Sequence, residues 1–490
     1  MADKKGGGDN EKRCLIGLDF GSHTGSIALW HEEKNSVEVI ADDLGSRTIP
    51  TAVAFRGDEI LTGSAAISQQ HKNPSNTFTD VRSMLFDPSV TMVHVPALDK
   101  DIAVTELASH FFRNIFNQIK QQAGKAVREC VVSVPQSMGN LEENGMKQRL
   151  LDAAQAGGIR VKCTINDGAA TLLANNFDDA AVAPCRILVV DLGWSRSEIS
   201  LYNVSGGLFF LLSTQSTVEM SGNKLVHLLS EHCAKDFQRK AKIPCVDNSR
   251  SMMRLRRDCE DAIKALSTGT EATIDIDSLC EGIDFSGKIS RARFEDLCAV
   301  PFMHLKSVLE ATLAAVNVSA QDVAKVCMCG GLSANPKAIS VVKAVLSDAV
   351  SCRPRGQEPS ESQSVGAALQ GKYLFEQGLL DAAPTQSPAA VVLTKPLLLK
   401  TEGSPAVAIL PIDSVLPVTL QLPFGLAAGQ VQGYLQILEA ETKLGEVVFS
   451  VAAVDEALSV VVAVSLEGEV KLDVKQGATS LASIVIPPHK

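Results

Sequence analysis

Two stretches of the chain follow the same plan, and they decide the fold: residues 16–22 read IGLDFGS and residues 188–193 read LVVDLG. Each is an apolar run that ends in an aspartate, Asp19 or Asp191, followed by one apolar residue and a glycine. A glycine just beyond a strand lets backbone N–H groups approach phosphate oxygens, and an aspartate at the strand end can hold Mg²⁺ through water. One such turn is weak evidence, because Asp-x-Gly turns are common. Two of them, followed by a glycine turn at 329–331, favour a phosphate-binding cleft.

The apolar periodicity around these motifs predicts alternating strands and helices. Apolar residues at four-residue spacing predict an amphipathic helix at 105–123. The other predicted elements are strands at 15–20, 130–134, 187–191 and 326–329, helices at 146–156 and 251–266, and a helix that ends near Gln377. Because strand, carboxylate and glycine turn recur in two halves of the chain, the sequence predicts two related α/β lobes around a cleft.

The composition changes near residue 381. The last cysteine is Cys352, the last arginine is Arg355, and the turn-rich stretch DAAPTQSP occupies 381–388. Beyond it the pattern predicts strands alone, at 407–410, 418–422, 433–440, 445–454, 458–467, 469–475 and 481–486. The predicted domains are a disordered arm at 1–13, an α/β domain at 14–380, a linker at 381–395 and a β domain at 396–490.

Composition and charge exclude several classes of protein. The 490 residues include 46 Lys and Arg against 56 Asp and Glu, a net charge of −10. This acidic balance argues against a nucleic-acid clamp, so no direct DNA binding is expected. The first residues lack the apolar core of a signal peptide, and proline, glutamine and glycine interrupt the charge-free stretch at 414–438, which favours strands over a membrane span. The 12 cysteines fit reduced thiols of a cytoplasmic protein, and Cys327 and Cys329 lack the partner pair of a zinc site.

Further stretches make the chain resemble the seventy-kilodalton heat-shock chaperones of the DnaK type, within the actin and sugar-kinase superfamily. The resemblance covers residues 14–487 and is carried by GSRTIPTAVAF at 45–55, NPSNTFTDVR at 73–82, VVSVP at 131–135, IDSLCEGIDFSGKISRARFEDL at 276–297 and CGG at 329–331. It implies an α/β, actin-like (ribonuclease H-like) two-lobed ATPase domain, then a linker, a peptide-binding β-sandwich and a helical lid. Because the chain ends at Lys490, just after the last β segment, we expect a truncated β-sandwich without the lid.

The resemblance also implies a site for ATP. Position by position, it assigns the nucleotide contacts to Asp19, Gly21, Ser22, His23, Asp191, Gly193, Glu260, Lys264, Ser267, Gly330 and Gly331. It implies that Asp19 and Asp191 hold Mg²⁺ through water. Glu260 and Lys264 also have a plainer interpretation, because a pair at this i,i+4 spacing stabilises any exposed helix.

Several positions depart from the family pattern on the catalytic side of the site. Arg82 stands where the family has its catalytic lysine, and a planar guanidinium does not simply replace an ammonium ion. Asp167 stands in place of a glutamate, and Gly168 in place of the family's switch proline. Near the adenosine, Ile263 replaces a lysine and Ser360 an aspartate. Arg82 and Asp167 are therefore degenerate positions, and no catalytic residue is assigned.

The two phosphate loops depart as well. Ser22 and His23 stand where the family has two threonines, and Trp194 occupies a glycine position. An indole cannot lie beside a phosphate there without displacing the loop, because the glycine was needed for close backbone approach. Arg196 is either a substitute phosphate contact or a solvated charge. Since hydrolysis depends on several charges acting as a unit on the γ-phosphate, we expect retained ATP binding with little or no hydrolysis.

The sequence leaves two functions open. A short, lidless branch of the family, which the chain resembles, forms the ribosome-associated complex with the J-domain protein zuotin. The resemblance to this branch implies a cytoplasmic regulatory subunit that binds ATP and forms a heterodimer with its partner. Such a subunit contacts the ribosome indirectly and helps another chaperone act on nascent chains. The alternative is an active ATP-dependent chaperone that binds unfolded peptides directly. A nucleotide-exchange member of the family is disfavoured, because such chains are longer and carry acidic insertions.

Overall fold

The computed structural model describes two compact units of the chain, which divide between Pro384 and Thr385. The described residues are 14–42, 44–123, 127–136, 145–347, 349–352, 358–380, 393–410, 414, 416, 418–426, 430–451, 458–465, 468–477 and 479–488. The predicted arm at 1–13 lies outside the described residues. Most of the predicted linker at 381–395 does too, since only its residues 393–395 are described.

The first lobe of unit 1 is built on a mixed sheet. Its strands are β1 (Cys14–Asp19), β2 (Thr24–His31), β3 (Ser36–Ile40), β4 (Ile49–Pro50), β5 (Ala52–Arg56), β6 (Glu59–Thr62), β7 (Thr77–Thr79), β8 (Met92–Val95), β9 (Lys100–Ala103), β10 (Glu129–Val134) and β11 (Arg160–Asn166). Its helices are α1 (Ser64–Gln69), α2 (Val81–Phe86), α3 (Val104–Ala123), α4 (Met146–Ala156) and α5 (Asp167–Ala174). The main sheet has the order β11-β10-β1-β2-β3, with β4 added to β2.

The second lobe repeats this plan. Its strands are β12 (Cys185–Leu192), β13 (Ser197–Ser205), β14 (Leu208–Thr217), β15 (Glu271–Cys280), β16 (Ile283–Ser290), β17 (Val323–Cys329) and β18 (Val350–Cys352). The helices that follow in the chain are α6 (Gly222–Ala241), α7 (Ser249–Thr268), α8 (Arg291–Leu297), α9 (Ala299–Ala314), α10 (Pro336–Val345) and α11 (Ser362–Glu376). The main sheet has the order β14-β13-β12-β17-β18.

The strands that carry the two opening motifs hold equivalent places in the two sheets. Strand β1 is antiparallel to β2 and parallel to β10, just as β12 is antiparallel to β13 and parallel to β17. Both strands are central and apolar, because they are covered on both faces. Each therefore brings its terminal aspartate, Asp19 or Asp191, to the edge where the two lobes meet. The two-lobed arrangement predicted from the repeated motif is confirmed.

Helix α11 returns the chain to the first lobe, where it packs against β1, β2, β10 and α5. The approach is close enough to require glycine at its contacts. A Cβ atom added to Gly17 of β1 would lie 2.1 Å from the carbonyl oxygen of Ser364, and one added to Gly366 would lie 1.9 Å from that of Ala170. Backbone therefore packs on backbone at the centre of this lobe.

Unit 2 consists of strands in two four-stranded antiparallel sheets. Its strands are β19 (Leu397–Thr401), β20 (Val407–Leu410), β21 (Val418–Phe424), β22 (Gln432–Glu439), β23 (Thr442–Ser450), β24 (Leu458–Val464), β25 (Val470–Gln476) and β26 (Thr479–Ile486). The sheet orders are β20-β19-β22-β23 and β21-β24-β25-β26. Alternate residues of both sheets, such as Ile437 and Val460, fill a shared apolar core. The sequence prediction located every strand except β19.

One bent pair of helices in the described part of the chain has the length and composition of a membrane span. Within the described ranges, no single helix is long and apolar enough to cross a membrane. Helices α8 and α9 reach that length and composition only together, and they are bent by 67° at the break between them.

The close packing of α11 yields a prediction for two glycines of the same helix. Gly366→Ala should lower the free energy of unfolding by about 2 kcal/mol, because the new methyl group meets backbone atoms that cannot move cheaply. Gly371→Ala is the matched control: its nearest neighbours lie at 3.5 Å, an ordinary contact, so the gain in helix propensity of about 1 kcal/mol should leave it neutral or stabilised. Urea unfolding of both variants checks this, and equal destabilisation by the two would contradict it.

Candidate nucleotide site

The edges of the two central sheets enclose a cavity of about 340 Å³ between the lobes of unit 1. Its volume lies within the range of small-molecule and cofactor sites. The predicted site residues that line it are Asp19, Gly21, Ser22, His23, Arg82, Asp167, Asp191, Gly193, Glu260, Lys264, Gly330 and Gly331. Ile263, Ser360, Trp194 and Arg196, which depart from the family pattern, line it too. Ser267 is not among the described residues that line the cavity, and its hydroxyl donates to the carbonyl of Ile263 within α7.

Three glycines of the cavity lining, Gly21, Gly193 and Gly330, lie too close to neighbouring atoms for a larger residue to fit. A Cβ atom on Gly21 would lie 2.0 Å from the carbonyl oxygen of Thr24, and one on Gly193 would lie 2.7 Å from that of Arg196. Gly330 has a φ of +81°, in the left-handed region that favours glycine. A Cβ atom there would lie 2.4 Å from the Oδ1 atom of Asp191. The sequence therefore places glycine wherever backbone must approach backbone or carboxylate.

Buried carboxylates dominate the electrostatics of the cavity. Burial raises the pKa of Asp19 to about 7, and the charge of Arg82 only partly opposes this shift. Burial, together with the charges of Glu198 and Asp19, also raises the pKa of Asp191 to about 7. The pKa of Asp167 is raised well above its usual value by burial first and by the neighbouring carboxylates second. Each group would release its proton more readily if a further positive charge were present.

These carboxylates fit a divalent cation. The buried Oδ1 atom of Asp167 and the buried Nε atom of Arg82 have no hydrogen-bond partner among the described residues. No three acidic, histidine or cysteine side chains in the described part of the chain are arranged to bind a metal ion directly. A Mg²⁺ ion near Asp19 and Asp191 would therefore keep water between itself and the protein, as Mg²⁺ commonly does.

Two aromatic rings from opposite lobes stack inside the cavity. His23 follows the first glycine turn and Trp194 follows the glycine of the second; their ring centroids are 3.9 Å apart and their planes differ by 14°. The Nε2 atom of His23 lies 3.0 Å from the Oε1 atom of Glu260 in α7. The Nζ atom of Lys264 lies 2.7 Å from the same oxygen. His23 is thus held on its face by Trp194 and at its edge by Glu260.

The ion pairs of Glu260 outweigh its burial. Burial alone would raise the pKa of this carboxyl, but the hydrogen bond and charge of His23, with those of Lys264, hold the pKa at about 2. Glu260 is therefore a carboxylate at neutral pH. The plainer interpretation of Glu260 and Lys264 as an i,i+4 pair is correct as far as it goes, since they do pair. It is incomplete, because Glu260 also contacts the opposite lobe through His23.

The turn that carries Trp194 is tied to the beginning of α6. The backbone N–H of Gly222 donates to the carbonyl of Gly193, and that of Asn223 donates to the carbonyl of Trp194. The indole lies over Gly222, where a Cβ atom would come within 2.8 Å of its Cε3 atom. The same indole packs against the apolar core of the second lobe. This turn is therefore fixed by its backbone hydrogen bonds to the start of α6 and by the packing of the Trp194 ring.

Sequence reasoning missed three contributors to the site. The backbone N–H of Gln136 donates to the Oε1 atom of the buried Glu198 at 3.0 Å, which joins the two lobes a second time. The side chain of Gln363 hydrogen-bonds Asp191 and opposes the upward shift of its pKa. Gly222 makes room for Trp194. Glu198 ends the second phosphate loop, but no local motif marks Gln136, Gln363 or Gly222, because each acts on a partner that is distant in the sequence.

Residues 15–384 match the family described as Hsp70 protein. The chain belongs to the Hsp70 family. The heat shock protein 70 homolog C57A7.12 of Schizosaccharomyces pombe is 27% identical over 90% of this chain and 82% of its own. The ribosome-associated complex subunit SSZ1 of Saccharomyces cerevisiae is 28% identical over 79% of this chain and 76% of its own. A ribosome-associated molecular chaperone of Nakaseomyces delphensis is 29% identical over 75% of this chain and 64% of its own.

This membership confirms the expected fold class, an Hsp70 nucleotide domain of the actin-like type followed by a β-rich unit. Hsp70 proteins bind ATP with Mg²⁺, and the lining of the cavity suits both. Asp19 and Asp191 would hold the ion through water, and the glycine turns at Gly21 and Gly193 would face the phosphates. Mg²⁺ would supply charge neutralisation there. The chain's own contribution is to hold these groups in place around the cavity.

The raised pKa values of Asp19 and Asp191 predict that stabilisation by Mg²⁺ depends on pH. Between the ordinary value of 3.8 and about 7, the folded protein holds protons that the unfolded chain has lost, so the stability from these groups falls as pH rises through that window. Mg²⁺ alone should therefore raise the Tm by about 3 °C near pH 8 and by about nothing near pH 5.5, where the carboxyls are protonated.

Scanning calorimetry with and without MgCl₂ checks this expectation. The variant that combines Asp19→Asn and Asp191→Asn should lose the effect, whereas Asp275→Asn, on an exposed position of β15, should keep it. An equal Mg²⁺ effect at both pH values would contradict the assignment.

Proposed function

We propose that this Hsp70-family chain binds ATP in the cavity between its lobes, hydrolyses it slowly or not at all, and acts as the regulatory partner of a J-domain protein in ribosome-associated, co-translational protein folding. The observation that carries the first part of the proposal is the altered charge arrangement beside two strand-end aspartates and the glycines Gly21 and Gly193. The glycine turns and the two strand-end aspartates keep the geometry for binding. The groups that would act on the γ-phosphate are different.

Arg82 is the centre of the altered arrangement. It lies in the first turn of α2, whose N-cap Asp80 accepts a hydrogen bond from the backbone of Ser83. Its guanidinium is buried among the carboxylates of Asp19, Asp167 and Asp191, whose pKa values its charge lowers. A delocalised planar cation in that position neutralises charge, but it does not present the compact ammonium that the family uses there. This favours retention of the nucleotide over cleavage.

Asp167 and Gly168, at the start of α5, support the same conclusion. The Asp167 carboxylate is one methylene shorter than the family's glutamate and is buried with one unpartnered oxygen. A Cβ atom on Gly168 would lie 2.4 Å from the hydroxyl oxygen of Tyr202. The family's proline therefore does not fit this position unless Tyr202 moves. Because residues that act as a unit have non-additive effects on rate, these changes together should reduce hydrolysis far more than any one of them.

Two relatives support a ribosomal setting. The Saccharomyces cerevisiae relative is named as a ribosome-associated complex subunit, and the Nakaseomyces delphensis relative as a ribosome-associated chaperone. The net charge of −10 gives this chain no general affinity for RNA. In the basic part of α7, Arg254 donates to the carbonyls of Asp277 and Ser278, and Arg256 bonds Asn223. Because these arginines hold parts of the fold together, we propose that contact with the ribosome runs through the partner. We also propose that the protein works in the cytoplasm.

Unit 2 offers sheet edges for that partner. β20 and β23 border one sheet, and β21 and β26 border the other. Large apolar side chains are exposed on three of these strands: Val407, Val448 and Val485. An extended segment can pair with such an edge by main-chain hydrogen bonds, and exposed apolar side chains then give specificity. We propose that the J-domain protein binds here to form a heterodimer.

The first test of this function separates ATP binding from hydrolysis. Titration calorimetry should detect ATP binding by the native chain, while single-turnover assays should detect little or no hydrolysis. Arg82→Lys, Asp167→Glu and Trp194→Gly should each leave the rate low, and the triple variant should raise it about tenfold or more, since the residues act together. Arg186→Lys, at the half-exposed start of β12, is the control. A native rate like that of ordinary Hsp70 proteins, or full rescue by one substitution, would contradict the proposal.

The second test concerns the partner. Purification of the tagged chain from cytosol, followed by ribosome sedimentation, should recover one J-domain protein in equal amount on ribosomes. Val448→Lys and Val485→Lys should reduce that recovery about tenfold. Both positions are exposed in this chain, and an added strand of the partner would bury the lysine charge there, which opposes strand addition. Val300→Lys, at an equally exposed position of α9, should leave it unchanged. A free chain bound to many unfolded proteins would instead favour the direct chaperone.

A further inference from the structure

Three side chains form a bridge across the nucleotide cavity, here called the His23 bridge: His23 with Trp194 and Glu260. His23 belongs to the turn between β1 and β2 of the first lobe, whereas Trp194 and Glu260 belong to the second. The ring centroids are 3.9 Å apart, and the Nε2 atom of His23 is 3.0 Å from Glu260. All three residues line the cavity. A contact on the ring face and another at the ring edge fix the imidazole in both directions.

The second-lobe end of the bridge is rigid. The carbonyl of Trp194 accepts from the backbone of Asn223, and the indole rests on Gly222 at a distance that leaves no room for a side chain. Glu260 lies on the 20-residue helix α7 and is held by Lys264 one turn further on. His23 is therefore the part of the bridge that can move, by rotation about its side-chain bonds.

The bridge lies close to both glycine turns of the cavity, which are the turns proposed to face the phosphates of ATP. Backbone approach to phosphate requires the glycine turns at Gly21 and Gly193; Trp194 directly follows Gly193, and His23 follows Gly21 by two residues. Because the ring centroids are 3.9 Å apart and the ring planes are nearly parallel, the rings are in van der Waals contact and no phosphate oxygen fits between them. The rings cannot both stay stacked and admit a phosphate between the turns.

We propose that the His23 bridge and the phosphates of a bound nucleotide are mutually exclusive, so that phosphate binding exchanges a protein link between the lobes for a link through the nucleotide. This inference rests on the proposed binding of ATP in the same cavity. It assigns to His23 and Trp194 a regulatory role: they hold the lobes together in nucleotide-free protein and weaken the apparent affinity for nucleotide by the free energy needed to break the stack. The rings then act as an internal competitor of ATP.

Tryptophan fluorescence tests the exchange directly. The chain has two tryptophans, and Trp30 is buried in β2 against Phe375, away from the cavity. ATP–Mg²⁺ should change the emission of Trp194 as the histidine leaves its ring, whereas adenosine, which has no phosphate, should not. Emission that stays constant while calorimetry registers ATP binding would overturn the bridge and leave the proposed function intact.

Variants provide an independent measurement. His23→Ala removes the ring without adding a phosphate ligand; it should lower the Tm of nucleotide-free protein by about 2–4 °C and tighten ATP binding about tenfold. Trp194→Gly should act in the same direction. His227→Ala is the matched control, because His227 pairs with Glu231 on the exposed side of α6, outside the cavity.

The outcomes separate the two proposals. If native protein and His23→Ala both fail to bind ATP, the proposed function is wrong, and the Tm of nucleotide-free protein still decides whether the bridge links the lobes. If His23→Ala binds ATP and native protein does not, the bridge is supported and the proposed function needs correction. If His23→Ala matches His227→Ala in both Tm and ATP affinity, the bridge is refuted.

Discussion

The burial of two like-charged groups at the ends of two central strands is the constraint on which the rest of unit 1 depends. Asp19 and Asp191 terminate β1 and β12, and burial raises the pKa of each to about 7. Such a pair is stable only with nearby positive charge or hydrogen-bond donors. Arg82 and the side chain of Gln363 supply part of this, and a bound cation would supply the rest. The lobes thus meet around a cavity lined by buried carboxyl groups, which favour a bound positive charge.

The same constraint separates binding from hydrolysis. The proposed binding needs the strand-end carboxylates and the glycine turns, which include close approaches such as that of Gly330 to the Asp191 carboxylate. Hydrolysis needs particular side chains at particular distances from one phosphate. Substitutions at Arg82 and Asp167 leave the first requirement intact and change the second. Under the proposed function, the domain would keep the Hsp70 fold and its ligand pocket while its turnover is low.

The fold was largely predictable from local patterns, because its central strands are apolar runs closed by aspartate and glycine, and α3 shows its apolar face at four-residue spacing. The site was less so. Ser267 illustrates the limit: it is seven residues after Glu260 and lies on the same helix face, but about 10 Å further along the axis, beyond the cavity lining. Strand β19 and the contributions of Glu198 and Gln363 depend on partners distant in the sequence, which periodicity does not reveal.

The stack of His23 on Trp194 shows what the sequence could and could not convey. The sequence reveals that two bulky rings replace small residues in the two phosphate loops, and sterics alone then predict a damaged site. The structure gives these replacements a joint role, because the rings satisfy each other and recruit Glu260. Two substitutions that would each obstruct a phosphate become a contact between the lobes when they occur together. Lobes that are linked by their own side chains do not need turnover to keep their arrangement, which is compatible with the proposed regulatory role.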